Sequence, residues 1–401
     1  MKLMSMRKLY GSLVAILLLA TMTAQASLSV SYQFVGKGNW SLDGVGSTGN
    51  NPVGTIDAMV PPGSTVVKAF LYSSLYSAVT VPSVVLDGVT IETNAFTALG
   101  VNPSYGLQAF RADVTAQVAA KVGSGSTNLF SFTVDSESSS SIDGEVLAIV
   151  YSNPAEKTRT IAFMDGFSAS AGDSTQFNFA SPLSMGVGFE ALMSLGIGFS
   201  AQSSGQYSQV DINGRRLTTS AGGQDDGSLA NGALITVGGI GDDLANPADP
   251  YALPGGEVPT RTDDELYNLA EGNGTNAAPF LSNGLTSFTV DTLNPSGDDN
   301  IFFLGVNVTA VGSVGPTDCS VTNLLTQASS LTGVNKKLLK LLTKDLQRLQ
   351  KALTTGNPFL AQLYAQRCEQ RLRQLSLVYG ADTTTIATMI NCLEQLGSIK
   401  I

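Results

Sequence analysis

Apolar residues in this chain follow two different periods. From Ser27 to about Gly315 they come in short runs rich in Val, Ile, Thr, Phe and Tyr, separated by Gly, Asn, Asp and Pro. Thr65–Tyr72, Leu129–Val134, Val146–Tyr151, Arg159–Met164, Ser208–Ile212, Thr286–Val290 and Ile301–Val308 are runs of strand length and strand composition. Asp87-Gly88 sits between Val84-Val85-Leu86 and Val89-Thr90-Ile91, and Asn213-Gly214 sits between Val210-Asp211-Ile212 and Arg215-Arg216-Leu217. Such dipeptides supply the positive φ that two-residue hairpin loops require. Many short strands with no long helices between them predict an antiparallel, jelly-roll-like β-sandwich over residues 27–315. One helical turn is expected at Val114–Lys121, capped by Asp113. Gly186-Val187-Gly188-Phe189 and Gly196-Ile197-Gly198-Phe199 read as two related strands whose glycines let sheet backbones approach closely.

After Pro316 the period becomes helical. Leu342, Leu346, Leu349 and Leu353 share one face, as do Leu360, Tyr364, Cys368, Leu372 and Leu375. A helix over Val321–Leu331 precedes them, and Ile386, Met389, Ile390, Leu393 and Leu396 predict a last one. Gly356-Asn357-Pro358 and Tyr379-Gly380 are breakers. Residues 316–401 are therefore expected to form a small helical bundle. Lys336, Lys337, Lys340 and Lys344 cluster on it, which raises a membrane-surface role against the simpler reading of a solvated face.

The first residues change the expected location. Lys2, Arg7 and Lys8 precede the apolar stretch Leu13–Leu19, and Ala24-Gln25-Ala26 is an A-x-A cleavage site. Residues 1–26 thus predict a secretory signal peptide rather than a membrane anchor, because the apolar core is short for a span. No later segment reaches transmembrane length, so the chain is expected to be exported to the extracellular space, the cell surface or the periplasm.

Charge divides the chain where the period does. Residues 27–315 hold 9 Lys+Arg against 27 Asp+Glu, a net of −18, and residues 316–401 hold 10 against 5, a net of +5. The acidic module excludes nucleic acid as a partner. The basic tail is suited to dock on that acidic body or on another acidic surface. There is no His, which removes His-based triads and most transition-metal sites. All three cysteines, Cys319, Cys368 and Cys392, lie in the tail. In an oxidising compartment one disulfide is plausible, and of the three pairings Cys368–Cys392 is favoured; three buried, reduced cysteines stand as the alternative.

Several stretches resemble a known family. Pro61-Pro62-Gly63-Ser64-Thr65-Val66-Val67-Lys68-Ala69-Phe70-Leu71-Tyr72, the Val84–Ile91 hairpin, Phe110-Arg111-Ala112-Asp113 and Leu147-Ala148-Ile149-Val150-Tyr151 are similar to a bacterial secreted, adhesin-like β-sandwich module. Met164-Asp165-Gly166-Phe167, Ile212-Asn213-Gly214 and Gly297-Asp298-Asp299 fit the same pattern. The tail, through its Asn335–Leu353 helix and Thr355-Gly356-Asn357 turn, resembles FIMAH-like helical modules. What these resemblances imply is a non-enzymatic structural or binding protein of the cell exterior, with no catalytic residues carried over.

Candidate chemistry lies in acidic loops. Asp225-Asp226-Gly227, Gly241-Asp242-Asp243 with Asp249, and Gly297-Asp298-Asp299 offer the hard oxygen ligands that Ca2+ takes, although none completes an EF-hand loop. The competing reading is that these aspartates bond their own turn backbones. A pair among Asp242, Asp263 and Glu265, near Tyr251 and Tyr267, could instead serve glycoside hydrolysis, which needs two carboxyl groups across one bond. The leading expectation is a non-enzymatic, adhesin-like protein whose partners are other extracellular proteins, surface polysaccharide or further copies of itself. The alternative is a carbohydrate-active module that binds or cleaves sugar.

Overall fold

The computed structural model describes residues 28–46, 53–76, 83–102, 106–123, 127–136, 142–168, 172–198, 207–222, 235–253, 265–297, 300–314, 321–331, 334–354 and 357–376, with 386, 389–390 and 392–393. The expected signal peptide lies outside them. The first half runs β1 (Ser29–Gly46), β2 (Val53–Met59), β3 (Thr65–Leu75), β4 (Val84–Leu86), β5 (Val89–Ile91), β6 (Phe96–Asn102), β7 (Leu107–Asp113), α1 (Thr115–Gly123), β8 (Leu129–Asp135) and β9 (Ile142–Ser152). The second half runs β10 (Thr158–Asp165), β11 (Asp173–Phe179), β12 (Ala191–Gly198), β13 (Ser208–Ile212), β14 (Arg215–Ala221), β15 (Ile235–Val237), β16 (Leu266–Asn268), β17 (Ser287–Leu293), β18 (Asn300–Val308) and β19 (Gly312–Val314). Helices α2 (Val321–Ser330), α3 (Lys336–Thr354) and α4 (Pro358–Ser376) follow. The protein is mainly β, its strand pairs are antiparallel, and its helices concentrate at the C-terminal end.

The body is two sandwiches, where the sequence suggests one. In the first, β2-β8-β4-β5 packs on β1-β9-β3-β7-β6, and Ile56, Leu86 and Phe132 from one sheet meet Leu71, Leu147 and Ile149 from the other. In the second, β14-β13-β17-β11-β19 packs on β10-β18-β12 with β15 and β16 at its edge, and Val210, Phe288 and Val290 meet Met193, Leu195 and Leu304. The two halves repeat one topology. Adding nine to each strand number turns β2-β8-β4-β5 into β11-β17-β13-β14, and β9-β3-β7 into β18-β12-β16. The sequence keeps a trace of this: Ser131–Asp135 and Ser287–Asp291 are the same pentapeptide, in β8 and in β17. The hairpins correspond too. Asp87 and Asn213 both sit at φ 52°, and their N–H groups reach the Thr133 and Thr289 carbonyls at 2.7 and 3.0 Å.

β1 joins the halves. Residues Ser29–Lys37 pair with β10, and Gly38–Gly46 pair with β9, so one strand belongs to both inner sheets. Its side chains also reach both outer sheets. The Asp57 N–H donates to the Asp43 carboxylate and the Met59 N–H to Ser41 Oγ at 2.8 Å, which closes the free edge of β2. The Val314 N–H donates to Gln33 Oε1 at 3.0 Å on the other side. Closed edges of this kind remove unpaired ladder groups that would otherwise template aggregation.

Between the inner sheets lies a third core, rich in rings. Tyr72, Phe163, Phe302 and Phe303 are fully buried there, with Tyr72 and Phe163 each about 5 Å from Phe303 (ring centroids 5.2 and 5.1 Å). Aromatic pairs at such separations contribute beyond their buried area. Glycines permit the close approach: a Cβ on Gly198 of β12 would fall 1.9 Å from Ser74 Oγ of β3, and one on Gly305 would meet Trp40 at 2.8 Å. The expected pair of glycine strands is half right, because Gly196 and Gly198 lie in β12 whereas Gly186–Phe189 forms a turn with Gly188 at φ 78°.

The tail folds on its own leucines. Leu342, Leu346 and Leu349 of α3 bury against Ala361, Ala365, Leu372 and Leu375 of α4, with Leu324 and Ala328 of α2 and with Ile386, Met389 and Leu393. Asn335 caps α3 by accepting the Lys337 N–H at 3.0 Å, and Asn357 caps α4 by accepting the Leu360 N–H at 3.0 Å. Among the described residues no helix is long and apolar enough to cross a membrane. In the body, α1 is the expected turn, with Asp113 Oδ1 accepting the Thr115 N–H at 3.0 Å.

Candidate functional site

The loop aspartates described are bonded to nearby backbone. Asp242 Oδ2 accepts the Gly239 N–H at 3.1 Å, Asp243 accepts the Ala245 N–H, and Asp249 Oδ1 accepts the Tyr251 N–H at 3.0 Å. Their geometry is that of turn caps. Asp225, Asp226, Asp298 and Asp299 lie outside the described residues. Among the described residues no three metal-ligating side chains come together. Of the acids considered for sugar hydrolysis, Asp263 is outside the described residues. Glu265 is buried, accepting the Gly222 N–H at 2.8 Å and the Tyr267 hydroxyl at 2.7 Å.

The structure places other carboxyl groups deep inside. Asp165 ends β10, where it takes the Tyr72 hydroxyl at 3.0 Å and Arg111 of β7 at 2.5 Å. It therefore ties the second sandwich to two strands of the first. Burial raises the Asp165 carboxyl above its ordinary range, opposed by the Arg111 charge and by hydrogen bonds from Ser31, Arg111 and Tyr72. Burial, followed by the neighbouring Asp165 charge, pushes the Tyr72 phenol well up. At the start of β9, Asp143 takes the Ser74 hydroxyl at 2.8 Å, and Glu145 takes Ser136 at 3.2 Å and Ser73 at 3.5 Å. Glu145 is 1% exposed, and burial lifts its carboxyl to about 8 despite the two serines, with Asp143 and Asp135 adding to the rise. A carboxyl group held neutral at pH 7 is a hydrogen-bond donor as well as an acceptor. In the sequence Glu145 lies just before the Val146–Tyr151 run and Asp165 just after the Arg159–Met164 run, where a charged residue reads as a strand boundary.

An open groove lies elsewhere on the second sandwich. It has a volume of about 370 Å³ and is lined by Met185, Phe189, Leu192, Leu244 and Ala270, with Glu190, Asn268 and Glu271 as its polar groups. The turn before β12 forms one wall, held by the Met185 N–H on Asn283 Oδ1 at 2.6 Å and by Lys157 Nζ on the Gly188 carbonyl at 2.7 Å. The loop after β15 forms the other, where Asn246 donates to the Asn268 and Gly272 carbonyls at 2.7 and 2.9 Å. Burial acts to raise Glu190, but hydrogen bonds and charge from Lys157 and Arg159 outweigh it and hold that carboxyl below its usual range. Glu190 is thus a fixed anion at the rim. No signal in the sequence pointed to this groove, because its residues come from separate segments.

The expected Cys368–Cys392 pair is not formed. Cys368 is a free thiol, fully buried in the tail core, and burial together with the Asp345 charge pushes it up to about 12. Cys392 is disulfide-bonded. Both do face the same apolar core, as their helical period suggests, but period alone does not fix which sulfurs meet. Cys319, the remaining cysteine, lies outside the described residues.

No family model and no curated protein matches the chain. Among solved structures it is similar to BuGH86wt in complex with neoagarooctaose, at 10% identity and a TM-score of 0.20, over 73% of this chain and 35% of that one. It is also similar to BpGH86A, a beta-porphyranase of glycoside hydrolase family 86 from the human gut bacterium Bacteroides plebeius, at 15% identity and a TM-score of 0.17, over 73% of this chain and 38% of that one. The chain spans little more than a third of the length of either. At such TM-scores the likeness carries no argument about fold or activity.

Proposed function

We propose that this chain is an exported, non-enzymatic structural and binding protein of adhesin-like kind. The observation that carries the reading is the use of its buried acids as braces. Asp165 binds Arg111 and Tyr72 across the seam, and Asp143 and Glu145 bind serines of neighbouring strands. The Asp165 bonds tie the two repeated sandwiches together and the Asp143 and Glu145 bonds brace strands within the first, which suits a scaffold that presents surfaces. The groove beside Phe189 is where the reading puts a ligand, and calcium at the loop aspartates is part of it.

A second reading, a carbohydrate-active module, draws support from that groove. It has an apolar floor with a few polar groups, the usual make-up of a small-ligand site. Incubation with a panel of surface polysaccharides separates the two. The first reading expects retention of the chain on a polysaccharide or on an extracellular protein, with no new reducing ends. Release of reducing ends that disappears in Glu271→Gln overturns it in favour of the second. Calcium is checked by melting the chain in its presence, where a ligand of the native state raises Tm with concentration. An unchanged Tm at millimolar calcium removes the ion from the proposal.

A further inference from the structure

We infer that the lysine edge of α3 docks on the outer face of the β13–β17 sheet of a second copy, so that chains associate head to tail. The inference goes beyond the binding reading above and does not depend on it. It starts from an unbalanced helix. Lys337, Lys340 and Lys344 are exposed and fall at spacings of three and four, which puts them in one line along α3, with Lys336 beside them. The only carboxylate on this helix, Asp345, is 1% exposed and already committed to Arg371 at 2.7 Å and Arg348 at 3.0 Å. None of the four lysines forms an ion pair with a described residue. Like charges at these spacings repel by a few tenths of a kcal/mol each, roughly, so an anionic surface relieves the helix.

The second sandwich offers that surface. Asp211 of β13 and Asp291 of β17 stand directly opposite each other in the ladder, on the face turned away from the core. Directly opposed like charges destabilise a sheet. Arg216 relieves Asp211 at 2.6 Å, whereas Asp291 takes only hydroxyls, from Ser174 at 2.6 Å and Thr289 at 3.4 Å, and meets no cation among the described residues. Cross-strand neighbours and helix neighbours three or four apart have similar spacings, about 5 Å between Cβ atoms, so successive lysines can reach successive aspartates.

Whole-chain charge selects the occupant. A body at −18 repels other bodies, while a tail at +5 is attracted to them, and each copy carries both. The contact joins unlike surfaces, so it is heterologous and need not close after two copies. One docked tail leaves the body still negative, which opposes clumping.

The test is sedimentation of the full chain over a concentration series at low and high salt. We expect association at about 20 mM salt that weakens at least about tenfold by 300 mM, as screening predicts. Reversing the tail charges (Lys337→Glu, Lys340→Glu and Lys344→Glu together) is expected to abolish association. Reversing the face (Asp211→Lys with Asp291→Lys) is expected to do the same. A chain carrying both sets should associate again, which a folding defect cannot produce; circular dichroism checks each fold. A monomer at every salt concentration overturns the inference. So does a salt-dependent change that ignores concentration, the mark of a tail docked on its own body. Retention on a sulfated polysaccharide without self-association also overturns it, because the stripe then serves a different polyanion.

Discussion

At Glu145 the fold works against an ordinary carboxyl group. Its pKa rises from 4.5 to about 8, so the native state binds a proton that the unfolded chain has lost between those values. Stability from this group is present below pH 4.5 and drains away as pH climbs through 8, by about 5 kcal/mol in all. Glu145→Gln keeps the shape and both serine contacts without the titration. Urea melts at pH 5 and pH 9 are expected to show the parent losing stability with pH and the variant losing much less; parallel losses would rule the assignment out. Asn213 makes a second residue-scale case. It holds φ 52° and accepts the Thr289 N–H at 3.0 Å through Oδ1. Asn213→Ala should cost about 1–2 kcal/mol by chemical denaturation, and Asn213→Gly appreciably less, since glycine tolerates the left-handed conformation.

Among elements, the seam glycines set how near the sandwiches sit. Gly198→Ala forces a methyl group onto Ser74 Oγ, which is itself held by Asp143. A loss of about 1–3 kcal/mol is expected from thermal melts, as for overpacked cores. Gly186→Ala, whose added Cβ meets nothing within 4 Å, serves as the control. Legibility also divides by element. The Asp87-Gly88 and Asn213-Gly214 hairpins were readable because a turn is a local event with a local chemical signature. The tail helices were readable because Leu342, Leu346 and Leu349 repeat within one helix. β1 was not, since Gly36, Gly38, Gly44 and Gly46 break its pattern and its partners in β9 and β10 are remote in sequence, from Gly144 opposite Gly46 to Asp165 opposite Ser29. The duplication was present in the text as Ser131–Asp135 and Ser287–Asp291, but five residues announce a repeat only once the strand order around them is known. The buried acids were illegible for a related reason: Asp143, Glu145 and Asp165 are inside only because two sheets meet over them.

For the whole molecule, the division of charge matches the division of cores. The tail cluster draws only on residues from Val321 onward, and the three large body clusters only on residues before Gly315. Calorimetry is expected to resolve a tail transition from a body transition. Reductant should lower the first by opening the Cys392 disulfide, a change worth about 2–5 kcal/mol, and leave the second unmoved, since every cysteine is in the tail. A single transition that shifts as a whole with reductant would contradict this division.

The shared strand has a mechanical consequence. A pull applied near Leu28 enters β1 along its length, and β1 is held on one side by eight residues of β10 and on the other by nine of β9. Load directed along a strand must shear its ladder bonds together instead of unzipping them one by one. The two sandwiches should therefore yield to traction in a single rupture, with neither half able to give way as a fuse for the other.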